Sequence, residues 1–378
     1  MLPDRQELYV EPQTLVASGG ELLLAGAPSY LWRRETASPA TLSARDSAFG
    51  AVISRDGRAR LVPWPIPRRS IGDVRAAPRD SGGWSVVFAE LVPKGGFPKD
   101  GPVTRLWYGV FDGRTWTHVE ELPLPEGALI REGAASLLVR QGAALHWALP
   151  IEDGPNGKGV AYFTRRGSAW SHETVRTYAT AYVALAHSDS LGMMLLVVHP
   201  DTTLRQDRNS LFLYARRPGW GLVRKMIPGA REPVHHPVLT TMEDVAVLTW
   251  TTVVSDGAIP GSYARALIGR PGLHDGRVIA LAPTLAQGLQ FVPLGGRRLW
   301  MIDHATTSAT RELHFVTDSA GSTVTLARWP YPFAGSFAAV AVGDEVLLAG
   351  PMRGATENAP VVVTLLLRAR LDCERKVH

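Results

Sequence analysis

Residues 106–125, LWYGVFDGRTWTHVEELPLP, read as a strand, a tight turn at Asp112–Gly113, a second strand and an exit marked by Pro123 and Pro125. Aromatic and β-branched residues fill both arms, and Asp-Gly is a favoured pair for a two-residue hairpin turn. The decisive question is whether this hairpin stands alone or is one copy of a repeat.

It is a copy. Pro-containing exits recur in PWPIP at Pro67, LPLP at Pro125, KMIP at Pro228, ALAP at Pro283 and WPYP at Pro332, with one exit near Thr177 lacking its proline. The spacing fits a unit of roughly 50 residues, the scale of a solenoid or propeller repeat. Each unit carries the same order: an alternating strand, a short Gly/Asp turn, an apolar strand, a longer polar loop and a closing hairpin. In one unit this is ASLLVRQ, GAALHWALP, the loop IEDGPNGKG, VAYFTRR and SAWSHETV; in the next it is AYVALAHS, LGMMLLVVHP, DTTLRQDRN, SLFLYARR and GWGLVRKM. Period-2 patterning with Gly-centred turns makes these strands.

Units begin near Thr14, Ile71, Ala128, Thr180, Val234, Gly288 and Gly335. The pattern predicts an all-β, seven-bladed β-propeller of four-stranded antiparallel blades, one domain over 1–378. The blades are expected near 14–70, 71–127, 128–178, 179–229, 230–284, 285–333 and 334–371. The last is short of a strand, and RQELYVEP, residues 5–12, is expected to supply it, because a ring of blades loses its open edges only when its ends are joined. Six blades with a separate N-terminal segment is the alternative.

Composition is that of a soluble globular chain, 45% hydrophobic and 20% charged, and the net charge of +5 comes mostly from scattered Arg. Scattered charge argues against a nucleic-acid partner and leaves room for recognition of carboxylate, sulfate or phosphate. The single cysteine, Cys373, excludes an intrachain disulfide. The opening MLPDRQELYV shows no basic segment followed by an apolar one, and no stretch reaches 18 apolar residues. A cytoplasmic location with no membrane partner is therefore expected.

In two closing hairpins Gly stands three positions before Trp: GRTW (Gly113, Trp116) and GSAW (Gly167, Trp170). This resembles the Asp-box (BNR) hairpin of the sialidase-like propellers. Asp112 precedes Gly113 directly, no Ser or Thr stands two positions before it, and the second copy has Arg165 and Arg166 in place of the acid. The resemblance therefore covers architecture only. In those families the Asp-box is a structural turn far from the catalytic centre, so Trp116 and Trp170 are expected to fill space between blades.

In such a blade the turns after strands one and three share a face, and the longer connections share the opposite one. Function is expected at the channel mouth on the elaborated face. Three blades place imidazole and carboxylate there, each at the upper end of an inner strand: His235 and His236 in VHHP, His199 in VVHPD, and Asp303 with His304 in MIDHATT. His236, His304 or His199 is suited to acid/base work, with a carboxylate such as Asp303 setting the tautomer, and the resemblance to sialidase-like enzymes makes Tyr182 a further catalytic candidate, as the tyrosine of a Tyr/Glu nucleophile pair. The same three histidines are candidate ligands for a divalent metal; no cofactor is otherwise implied. Arg69, Arg131, Arg231 and Arg353, with His235, are candidates to hold a negative group.

These residues predict an enzyme of lyase or glycosidase-like hydrolase type acting on an anionic or sugar-like small substrate. The alternative is a non-catalytic propeller that presents a rigid face to a protein or peptide partner.

Overall fold

The computed structural model describes residues 10–28, 48–67, 71–91, 103–124, 137–142, 144–151, 159–177, 182–201, 208–216, 219–226, 234–254, 261–282, 286–305, 311–319, 322–330, 337–352 and 363–370. The elements among them are all strands, as the period-2 patterning requires.

The first sheet holds β1 (Val10–Ser18), β2 (Glu21–Pro28), β3 (Phe49–Ile53) and β4 (Ala59–Leu61) in sequential order. The second holds β5 (Ile71–Pro78), β6 (Trp84–Leu91), β7 (Val103–Phe111) and β8 (Trp116–Leu122). The third holds β9 (Leu137–Gln141), β10 (Ala144–Ile151), β11 (Gly159–Arg166) and β12 (Ala169–Arg176). The fourth holds β13 (Tyr182–Ser188), β14 (Gly192–Asp201), β15 (Arg208–Arg216) and β16 (Trp220–Met226). The fifth holds β17 (Val234–Met242), β18 (Val245–Val254), β19 (Gly261–Gly269) and β20 (Arg277–Ala282). The sixth holds β21 (Ala286–Leu294), β22 (Arg297–Ala305), β23 (Arg311–Ser319) and β24 (Ser322–Pro330). A last sheet contains β25 (Ala338–Val342), β26 (Glu345–Met352) and β27 (Val363–Arg370).

The architecture is an all-β propeller with six blades of four antiparallel strands. The expectation of seven four-stranded blades is corrected: the last sheet shows three strands among the described residues. The expected closing strand is corrected as well. Val10–Pro12 belongs to β1 and pairs with Gly26–Pro28 in the first sheet, while residues 5–9 lie outside the described residues. An alternating segment shows that it is a strand, but its pattern does not say which edge it joins.

First strands of successive sheets lie side by side, as β1 does against β5 and β13 against β17, and β25 lies against β1. Each sheet shares an apolar seam with the next. Val87, Leu106 and Tyr108 meet Trp147 and Phe163 between the second and third blades, and Leu15 and Leu24 meet Ala338 and Leu347 where the last sheet meets the first. Middle strands are apolar on both faces because a seam lies on either side, as in GMMLLVVHPD of β14. An outermost strand such as β24 alternates, since it has less to cover.

The hairpin at Asp112 is a structural turn. The Asp112 carboxylate accepts the N–H groups of Arg114 and Thr115, both at 2.7 Å. These bonds hold its carboxyl below the usual carboxylate range. Gly113 has φ 99°, the left-handed region where a side chain is strained.

The tryptophans that follow such turns fill seams, as expected. Trp170 meets the Tyr108 ring edge-on, with centroids 5.3 Å apart, and donates to Glu120 at 3.0 Å, while Arg165 lies 4.4 Å from the same ring. One blade on, the pattern repeats. Trp220 meets Tyr162 edge-on at 4.9 Å, Arg216 lies 5.5 Å from that ring, and Arg216 pairs with Glu173 at 2.9 Å. Trp170→Ala removes the ring from one copy and is expected to cost about 2–3 kcal/mol, toward the low end for aromatic truncation because the indole is only partly buried. A lower urea midpoint with unchanged slope checks this.

Candidate active site at the elaborated end of the sixth blade

Second strands end and third strands begin at one end of the blades, and in every sheet but the fifth the connection between them is the longest within the sheet; in the fifth, residues 270–276 between β19 and β20 outnumber residues 255–260. That is the elaborated end. His199, near the end of β14, and His304, near the end of β22, reach it on second strands. His235 and His236 reach it at the start of the first strand β17. A second strand returns to the same end as the first begins, one strand further from the axis.

Only some of these side chains belong to the described structure. For His199, His235 and His236 the backbone is described, with His199 opposite Ser210 and His235 opposite Thr251. Arg69, Arg131, Arg231 and Arg353 lie outside the described residues. Tyr182 is half-buried against the seam between the fourth and fifth blades. Burial pushes its phenol above the ordinary value, so it is a neutral proton donor at neutral pH.

Asp303 and His304 are adjacent in one strand and therefore project to opposite faces of the sheet. Asp303 is 2% exposed and meets Arg311 in a forked pair, with Arg311 Nε donating to Oδ1 at 2.9 Å and Nη2 to Oδ2. Its face also carries Met301 and Leu313, which join the seam toward the last sheet. Asp303 is therefore engaged by Arg311, while His304 next to it in sequence lies on the other face of the sheet. Leu313 faces Asp303 and Arg311 faces Ala305, two residues further along the same side of β22, so Arg311 reaches Asp303 diagonally across the ladder.

The other face builds a different group. His304 stands opposite Glu312 and diagonal to His314. The two imidazoles stack with centroids 4.6 Å apart and planes 17° from parallel. His314 Nε2 donates to Glu312 Oε2 at 2.8 Å. This bond holds the Glu312 carboxyl below its usual range. Exposed Arg328 of β24 stands opposite His314 in register. Burial, then His314, with Arg328 a smaller contributor, push the His304 imidazole below its ordinary value, against the opposing pull of Glu312.

Two stacked imidazolium ions would repel by about 4 kcal/mol at an effective dielectric constant near 20. Burial and the neighbouring imidazole thus favour the neutral form of His304. The arrangement is a carboxylate–imidazole pair backing a neutral imidazole, with a cation beside it. Such a group can take a proton from a bound molecule and steady a negative charge.

Glu312, His314 and Arg328 were not among the residues expected from sequence. Their signal was there in RELHF, where Glu312 and His314 are two apart on a predicted third strand. Among the described residues no three His, Cys, Asp or Glu side chains gather as a metal site. The metal expectation rests on His199 and His236, whose side chains lie outside the description. Among the described residues no helix is long and apolar enough to cross a membrane.

No protein-family model matches the sequence, and no curated protein sequence matches it. Solved structures resemble it in fold. The polysaccharide lyase Uly1 superposes with a TM-score of 0.59 at 10% identity, covering 96% of this chain and 90% of its own. The endosialidase of phage phi92 gives 0.53 at 7% identity, over 98% of this chain and 68% of that one. A protein of unknown function from Dyadobacter fermentans gives 0.50 at 12% identity, over 84% of this chain and 94% of that one. At these identities the likeness is one of architecture.

Proposed function

We propose that the chain is a carbohydrate-acting enzyme that binds an anionic or polyhydroxylated sugar at the elaborated end and uses His304 as the base of a lyase- or hydrolase-type reaction. The observation that carries this reading is the Glu312–His314–His304 group beside Arg328. The propeller neighbours that act as a polysaccharide lyase and an endosialidase support the substrate class.

In an elimination, His304 takes the proton from the carbon next to a sugar carboxylate, and Arg328 faces the charge that develops there. The bond to the leaving sugar oxygen then breaks, and that oxygen takes up a proton. Tyr182, a neutral phenol, is a candidate to give it. Arg69, Arg131, Arg231 and Arg353, with His235, are proposed to line the rest of the subsites from their loops; His199 and His236 are proposed to assist at the same end.

The test is a pair of kinetic measurements on an acidic polysaccharide that the protein degrades. Because His304 is held neutral to lower pH than a free imidazole, the rising limb of kcat/KM is expected below pH ~6.5. Arg328→Ala is expected to raise KM about tenfold or more with a smaller change in kcat, the mark of a lost binding contact. A rising limb above pH ~7, or unchanged KM in Arg328→Ala, would remove His304 and Arg328 from these roles.

A further inference from the structure

At the opposite, plain end of the propeller, His146 of β10 and Tyr162 of β11 meet in the seam between the third and fourth blades. The Tyr162 hydroxyl and His146 Nδ1 share a hydrogen bond at 2.6 Å, and the rings stack with centroids 5.8 Å apart. His146 is 2% exposed and Tyr162 1%, which leaves no room for a substrate and makes this a structural pair.

The seam one blade earlier is built on the same plan with a different residue at one position. Tyr108 stands opposite Val87 and Tyr162 opposite Ala148, so Ser85 and His146 occupy matching places, each two residues before its tyrosine's partner. Ser85 Oγ lies 3.3 Å from the Tyr108 hydroxyl, as His146 Nδ1 does from Tyr162 at closer range. Both tyrosines carry the arginine, tryptophan and glutamate described above. The two seams thus differ in that one has an imidazole at its buried hydrogen bond where the other has a serine hydroxyl.

The charged and titratable groups around His146 come from every neighbouring strand. Arg166 follows on β11; Arg216 of β15 pairs with Glu173 of β12; His187 of β13 contacts Gln141 of β9 and lies 3.8 Å from Asp189. Glu173, the carboxylate close to the ring pair, is already taken by Arg216. A proton on His146 therefore sets a cation in the buried seam, close to the guanidinium groups of Arg166 and Arg216.

We propose that His146 is an acid-sensitive latch: its protonation opens the seam between the third and fourth blades, while the matching Ser85 seam stays closed. Burial first, and Arg216, Arg166 and His187 after it, push the imidazole down to about 4 from an ordinary 6.5. The folded state thus refuses a proton that the unfolded chain accepts. Stability is unaffected by this group above pH ~6.5, falls as pH drops from there, and levels off below ~4, where the folded protein also takes the proton.

The experiment is urea unfolding of the wild-type protein, His146→Gln and His146→Ser at pH 7.5 and 4.5. The wild-type folding constant is expected to drop on the order of 100-fold more than that of either variant over this interval. Hydrogen exchange at pH 4.5 is expected to open β11 to β16 ahead of β5 to β8. Should both variants fail to fold, the imidazole titration of wild-type His146, followed by nitrogen-15 NMR, still decides. Identical pH dependence in wild type and variants, or a His146 midpoint near 6.5, overturns the proposal.

Discussion

Arg311→Ala is expected to destabilise the protein by about 3 kcal/mol, because it leaves the Asp303 carboxylate buried without its forked partner. Removing both charges together, as in Asp303→Leu with Arg311→Met, is expected to recover most of that loss, since two apolar side chains restore packing without a desolvated ion. Chemical unfolding of the single and double variants measures both values. An Arg311→Ala variant as stable as wild type would mean that solvent reaches Asp303 and that the pair does not fix the end of the sixth blade.

His304→Ala is expected to act on turnover instead. Loss of a positioned base lowers kcat by about 10²–10⁴, and Glu312 and His314 cannot replace it because their own hydrogen bond points them at each other. His314→Ala is expected to have a smaller effect, and one with a distinct signature. Without the stacked neighbour that depresses it, His304 regains basicity, so the rising limb of kcat/KM moves to higher pH. An unchanged pH profile in His314→Ala would show that the stacking contributes nothing to the state of His304.

The propeller was legible in the chain because repeat, turn and strand signals agree at every level. The Pro exits, the Gly-centred turns and the period-2 strands each point to blades, and the tryptophans of GRTW and GSAW sit in seams as their size requires. The closure was not legible. RQELYVEP alternates like any strand, and β1 draws its last three residues into the first sheet.

The site was half legible. Asp303 and His304 stand out in the sequence by their place at the elaborated end, but a loop-by-loop collection of polar residues passes over strand interiors. Strand register then separates the two onto opposite faces and supplies Glu312, His314 and Arg328 from the third and fourth strands. None of these three stands near His304 in sequence. Only the pairing of β22, β23 and β24 makes them neighbours, and pairing register is a property of the folded sheet.

The most direct test of the central claim is the release of reducing ends from a panel of uronate- and sialate-containing polysaccharides by wild-type protein and by His304→Ala. Release from at least one of them by the wild-type protein is expected. So is a fall of about 10²–10⁴ in His304→Ala at an unchanged unfolding midpoint. Equal release by the two proteins, or none from any polysaccharide with the wild-type protein folded, would contradict it.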